Sequence, residues 1–162
     1  MKHDRAGPPE ALRADLRVGL HWQGDLRFDV GPGGLPPLRV DGDSKTAPSP
    51  PQTLLSALAA CVTVDVVLIL TKQRTPPVSL EVDATAERVD GTPRRLTRAH
   101  LHYRIAGPGI EREKALRAIE LSVTKYCSVR DSLDPEMPVT WSLELSAQAR
   151  ASRAVVLEEE SG

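Results

Sequence analysis

The stretch SPPQTLLSALAACVTVDVVLILTKQR, residues 49 to 74, constrains this chain more than any other part of it. Two prolines open it. They favour a helix beginning at about Pro51, because the first turn of a helix has no use for the N–H that proline lacks. Apolar residues then run from Leu54 to Leu70 around almost the whole circumference, the pattern of a helix covered on most sides. The run falls short of the 18 or more uncharged residues of a membrane span, and Asp65 interrupts it. A central core helix is therefore expected. Ala57, Ala59 and Ala60 leave room for another backbone, so a second subunit is expected to supply some of the cover.

The rest of the chain arranges itself around that helix. Before it, LRVGLHW, LRFDV and LRV, between Leu12 and Asp41, are short β-like pieces divided by QGD and GPGGLPP, which predicts a small antiparallel meander. GDSKTAPSPP reads as a polar connector. After the helix, TPPV forces a stop. In VSLEVDATAERV, Val78, Leu80, Val82, Ala84 and Ala86 alternate with polar residues; in LTRAHLHYRI, Ala99, Leu101, Tyr103 and Ile105 alternate with Arg98, His100, His102 and Arg104. DGTPRR joins them into a hairpin with one acidic arm and one basic arm. A second helix is expected over IEREKALRAIELSVTKYC, where Ile110, Leu116, Ile119, Val123 and Cys127 keep helical spacing. VTWSLEL is expected to close the fold as a last strand. The domain expected spans 12–148, with a loose lead-in over 1–11 and a solvated tail over 149–162.

Charge and cysteine usage narrow the function. The net charge is −1, from 21 basic and 22 acidic residues among 162, and no dense basic run exists. Nucleic acid and acidic membrane are therefore not expected partners. The polar amino terminus lacks the apolar run of a secretory leader, so a cytoplasmic location is expected. Reduced thiols follow from that compartment. Cys61 and Cys127 are neither a CxxC pair nor flanked by histidines at zinc-ligand spacing, which leaves two inert buried thiols or a reversible redox pair. The redox reading has a mechanism: a thiolate attacks a peroxide O–O bond, becomes a sulfenic acid, and condenses with the second thiol. His100 and His102 share a strand face beside Arg98 and Arg104, and read as a solvated face rather than a ligand pair.

These motifs, taken in order, resemble a known family. APSPPQTLLSALAACVTVDVVLIL is similar to the reactive-cysteine helix of the OsmC/Ohr family, and AIELSVTKYCSV is similar to its second cysteine segment. VDGDSKTAPSP and the hairpin ending in RAHLHYRI fit the same layout, so the resemblance covers about Leu16 to Leu145. It implies an α+β, OsmC-like fold: antiparallel sheets around two central helices in an intertwined homodimer. It also implies a peroxidase that reduces organic or lipid hydroperoxides in oxidative stress defence, without haem, flavin or metal. An external dithiol would be the reductant. Carried over by position, Cys61 is the peroxide-attacking cysteine and Cys127 the resolving one.

One position departs from that pattern. Where peroxidase members carry a glutamate that orients an arginine over the thiolate, this chain has Pro51, with the uncharged Gln52 beside it. Arg27 is the first choice for the arginine and Arg39 the second; Gln52 is the candidate to position the thiolate. Asp65 would raise the Cys61 pKa if it faced the sulfur, and is expected instead to cap or to pair across a dimer. Lys125 and Arg130 flank Cys127 and read either as cations that lower its pKa or simply as helix-end charges. The competing expectation, favoured by Pro51, is a non-catalytic dimer that binds an apolar small molecule at its interface. An acyl or thioester hydrolase has little support, since His21 is its one remote candidate base.

Overall fold

The structure is a computed structural model that describes residues 15–146. The expected lead-in over 1–11 and tail over 149–162 lie outside the described residues. Backbone contacts divide the chain into two compact units, Met1–Pro50 and Pro51–Gly162.

The first unit is the expected meander. Strands β1 (Gly19–Trp22), β2 (Arg27–Gly31) and β3 (Leu38–Asp41) pair antiparallel in the order β1-β2-β3. The QGD turn bends because Gly24 and Asp25 both take positive φ, 90° and 47°, and the Arg27 N–H closes it onto the Gly24 carbonyl at 3.0 Å. Trp22 Nε1 donates to the Asp25 carbonyl at 2.9 Å and braces the turn. β1 is shorter than LRVGLHW suggests: Leu16 and Val18 lie outside the ladder and open to solvent. The polar connector is built around Asp41, 3 % exposed. Its carboxylate accepts the backbone N–H groups of Asp43, Lys45 and Thr46, and the Thr46 hydroxyl at 2.8 Å. Those donors, Thr46 foremost, hold its pKa down to about 2.

The second unit carries the core. Helix α1 runs Pro50–Lys72, one residue earlier than expected, with both prolines in its first turn. It ends where the Thr75 N–H reaches back to the Leu70 carbonyl and Arg74 turns left-handed at φ 62°, just before Pro76 and Pro77. At this length α1 is, by length and composition, apolar enough to cross a membrane. Its packing gives a different use for that apolarity. Leu58, Val62, Val66 and Leu70, each one turn from the next, are fully buried in a cluster with Leu101, Tyr103 and Ile105. Its remaining circumference is open in this chain: Leu54, Val64, Val67 and Leu68 are exposed.

Strands β4 (Ser79–Arg88) and β5 (Leu96–Ala106) form the expected hairpin. Its charged arms meet as anticipated: Arg104 pairs with Glu81 and Asp83, and Arg98 with Glu87. The alternation fails only at Val78, which is exposed before the strand begins. Strand β6 (Val139–Ser146) pairs with β5 in parallel, in the order β4-β5-β6, so this sheet is mixed rather than wholly antiparallel. The cause is the connection. The chain between β5 and β6 crosses back through helix α2 (Arg112–Leu121), a π-helical turn over Ser122–Tyr126 and the short helix α3 (Ser128–Asp131), and such a crossover returns the strand in the same direction. The second helix is thus α-helical over only part of the expected span, and Ile110 sits ahead of it as a buried anchor.

Candidate functional site

The candidate site is where α1 meets the turn after α2. Cys61 lies in the middle of α1, one position ahead of the buried Val62, and is half-buried. Cys127 ends the π-helical turn. The wider turn holds one extra residue per cycle, and such turns recur at functional sites. Here it places Cys127 at 3 % exposure as the residue before α3, where its Sγ accepts the Arg130 N–H at 3.3 Å. Both cysteines are free thiols, and each bears on the ionisation of the other.

Their environments push them apart. Burial would raise the Cys61 pKa, but the Val129 N–H, the Cys127 thiol and the Ser128 hydroxyl and N–H together outweigh it and pull the thiol below its ordinary value of 9.0. The Ser128 Oγ lies 3.9 Å from the Cys61 Sγ. Cys127 goes the other way. Burial leads, the charge and hydrogen bond of Cys61 add to it, and the thiol is pushed up to about 11 despite the Arg130 N–H. Two thiols in one pocket cannot both ionise easily, and this pocket favours Cys61.

Several sequence expectations resolve differently. The charges of Lys125 and Arg130 are not among the main influences on the Cys127 pKa. The Arg130 guanidinium is spent on the carbonyls of Asp134, Pro135 and Met137, and the Lys125 ammonium lies 5.5 Å from the Tyr126 ring centre. Gln52 lies nine residues before Cys61, which in a straight helix is the opposite side and roughly 13 Å along the axis. The two side chains do not meet within one chain. Asp65 is half-buried, and the leading influences on Cys61 do not include it. Arg27 holds Asp25 at 3.1 Å and keeps a buried Nε without a partner, whereas Arg39 is locked in a two-pronged pair with Asp29 at 2.7 and 2.9 Å. Both arginines belong to the first unit. His21 is exposed on β1.

Two contributors escaped the sequence. Ser128 and the Val129 N–H act through the turn after Cys127, and nothing in CSVRD announces that this turn faces α1. Tyr103 was legible as core and is fully buried. Its hydroxyl lies 3.2 Å from Thr63 Oγ1, and burial pushes its pKa up to about 12. A cavity of about 480 Å³ opens beside Cys127, walled by the apolar Val123, Met137, Val139 and Trp141 and by the charged Lys125, Arg130, Asp131 and Glu136; Cys61 does not line it. Among the described residues no three His, Cys, Asp or Glu side chains converge as metal ligands.

A mixed three-stranded sheet under a long central helix, with a second helix delivering a cysteine to the first, is the OsmC-like arrangement. The OsmC-like protein profile matches residues 42–142. The chain is 39% identical over 133 residues to Protein YhfA of Escherichia coli K12, covering 82% of this chain and 99% of that protein. This chain belongs to the OsmC-like protein family. Among solved structures, an OsmC-like protein from Mycoplasma pneumoniae superposes with a TM-score of 0.70 at 16% identity, covering 83% of this chain and 99% of that one. The organic hydroperoxide resistance protein OhrB of Bacillus subtilis does so at 0.51 and 14%, covering 80% and 96%. At those identities the likeness is one of fold.

Proposed function

We propose that this protein is a cysteine-based peroxidase for organic or lipid hydroperoxides, acting in oxidative stress defence, with Cys61 as the attacking thiolate and Cys127 as the resolving thiol. The observation that carries the reading is the opposite displacement of two thiols that influence each other, one on α1 and one in the turn whose Ser128 faces it. Cys61, the more acidic, attacks the distal oxygen of ROOH; the O–O bond breaks, ROH leaves after taking a proton, and Cys61 becomes a sulfenic acid. That step removes the negative charge which helped to hold Cys127 protonated. Cys127 then loses its proton more readily, its developing thiolate held by the Arg130 N–H, and attacks the Cys61 sulfur. Water leaves and a disulfide remains, to be reduced by an external dithiol.

In this reading the amides of Ser128 and Val129 and the Ser128 hydroxyl do part of what a cation does in other thiol peroxidases. Arg27 and Gln52 enter the proposal from the family resemblance alone. The exposed apolar residues of α1 support a homodimer in which a second copy covers them, since that much apolar side chain is costly to leave in water.

The test is to reduce the protein, add one equivalent of an alkyl hydroperoxide, and follow peroxide loss and intact mass within seconds. Rapid consumption with loss of two hydrogens is expected, and Cys61→Ser abolishes it. Surviving peroxide and unchanged mass would overturn the peroxidase. The second reading, a dimer binding an apolar small molecule, draws on the Val123, Met137, Val139 and Trp141 wall of the cavity that Cys61 does not line. Recovery of a bound apolar compound from purified protein, together with inert thiols, would put it first.

A further inference from the structure

The outer face of the second sheet holds an arrangement that the thiol chemistry does not use. The sequence places His100 and His102 on one side of β5 and shows no partner near them. The parallel pairing of β6 supplies three: Thr140 lies opposite His100, Ser142 opposite His102, and Glu144 two pairs further on, opposite Arg104. His100 Nδ1 lies 2.8 Å from Thr140 Oγ1, and its Nε2 lies 2.9 Å from Ser142 Oγ. His102 Nδ1 lies 2.7 Å from the same Ser142 Oγ, and its Nε2 lies 3.5 Å from the Glu144 carboxylate. Two imidazole nitrogens from different residues therefore aim at one point, marked by a serine hydroxyl.

That hydroxyl has one proton and can donate it to only one of the two nitrogens. The other imidazole must then donate to it. A divalent ion in the same wedge would accept both lone pairs at once, at about 2.0–2.1 Å from each nitrogen, with Ser142 turned aside or retained as an oxygen neighbour. The far nitrogens have partners suited to that state: Glu144 can accept from His102 Nε2–H, and in the loaded form Thr140 would accept from His100 Nδ1–H, outer-shell contacts that fix which nitrogen of a ligating histidine is left bare. Passing from the empty to the loaded form needs only a change of tautomer at His100 and a turn of two hydroxyls. From β4, Asp83 faces His102 and Thr85 faces His100; Asp83 is held by Arg104 and adds negative charge without competing for the nitrogens.

We propose that His100 and His102 form a two-imidazole chelate for a borderline divalent transition metal of the zinc kind, backed by Glu144 and Thr140. Imidazole pairs select such ions over magnesium or calcium, which take oxygen ligands. With two protein nitrogens, the remaining positions go to water and to Ser142. The site is separate from the thiol pair and stands whether or not the chain is a peroxidase.

The test is calorimetric titration of the full chain with Zn²⁺ at pH 7.5. The chain would carry Cys61→Ser, Cys127→Ser and His3→Gln, so that the thiols and the sequence Met1-Lys2-His3 do not compete. One ion per chain is expected. His100→Gln and His102→Gln should each weaken binding at least tenfold, and the exposed Glu144→Gln several-fold, while His21→Gln leaves it unchanged. Should a histidine variant fail the circular-dichroism check of folding, Glu144→Gln decides alone. No heat at millimolar Zn²⁺, or an affinity indifferent to His100, His102 and Glu144, would overturn the proposal.

Discussion

The two cysteines of this protein influence each other and share almost nothing else. Cys61 stands on a long α-helix with donors converging on it; Cys127 closes a widened turn, buried, with only the Arg130 and Val129 amides to favour its thiolate. A thiol's reactivity is set by whichever of desolvation or donation wins, and here the balance tips in opposite directions a few ångströms apart. In the proposed peroxidase this contrast would set the redox order: burial would keep the second thiol protonated, and the charge on the first would reinforce that.

The largest effect that would break this contrast is in turnover. Cys127→Ser should consume one equivalent of hydroperoxide at close to the normal rate and then stop, with a trappable sulfenic acid at Cys61 and more than a hundredfold loss of multiple turnover. Steady turnover in that variant would make Cys127 a bystander. Next comes modification. At pH 8 a thiol of pKa 9.0 carries about a hundred times more thiolate than one of pKa about 11, so iodoacetamide should label Cys61 at least about a hundredfold faster than Cys127, read by peptide mass. Equal rates would erase the asymmetry.

Smaller effects sharpen it. Ser128→Ala removes one donor from Cys61 and should move its pH–alkylation midpoint upward, with labelling at pH 7.5 slowed about threefold, an amount in keeping with one weak hydrogen bond. The smallest effect is on stability. Cys127 has a folded pKa above its unfolded one, so its neutral form stabilises the fold fully below pH 9, and that contribution is lost as pH rises towards 11. The thermal midpoint should therefore fall more steeply between pH 9 and 11 in the native chain than in Cys127→Ala. Parallel curves would mean that Cys127 titrates alike in both states.

Much of this fold was legible because its signals are local. Prolines 50 and 51 start α1 and prolines 76 and 77 follow its end; alternation sets the faces of β4 and β5; complementary charges foretell the pairs of Glu81, Asp83 and Glu87 with Arg98 and Arg104. The site was legible as two cysteines and no further. Helical spacing carried Cys127 to the inner face but hid the π-helical turn, since no residue type specifies an i→i+5 bond over i→i+4. Arg130 looked like a charge for Cys127 because side-chain direction is decided by the loop it packs on, here three carbonyls of residues 134 to 137.

The sequence by itself determined which segments are helix and strand, which faces are wet, and that one cysteine rides the central helix, for each of these follows from residue chemistry within a few positions. Only the tertiary structure decided that β6 runs parallel to β5, that Ser128 and Val129 face Cys61, and that Thr140, Ser142 and Glu144 line up beside two histidines some forty residues earlier. Such neighbours are joined by no local bond. Their meeting is fixed by how the crossover packs, and the energies that fix it are spread over the whole core.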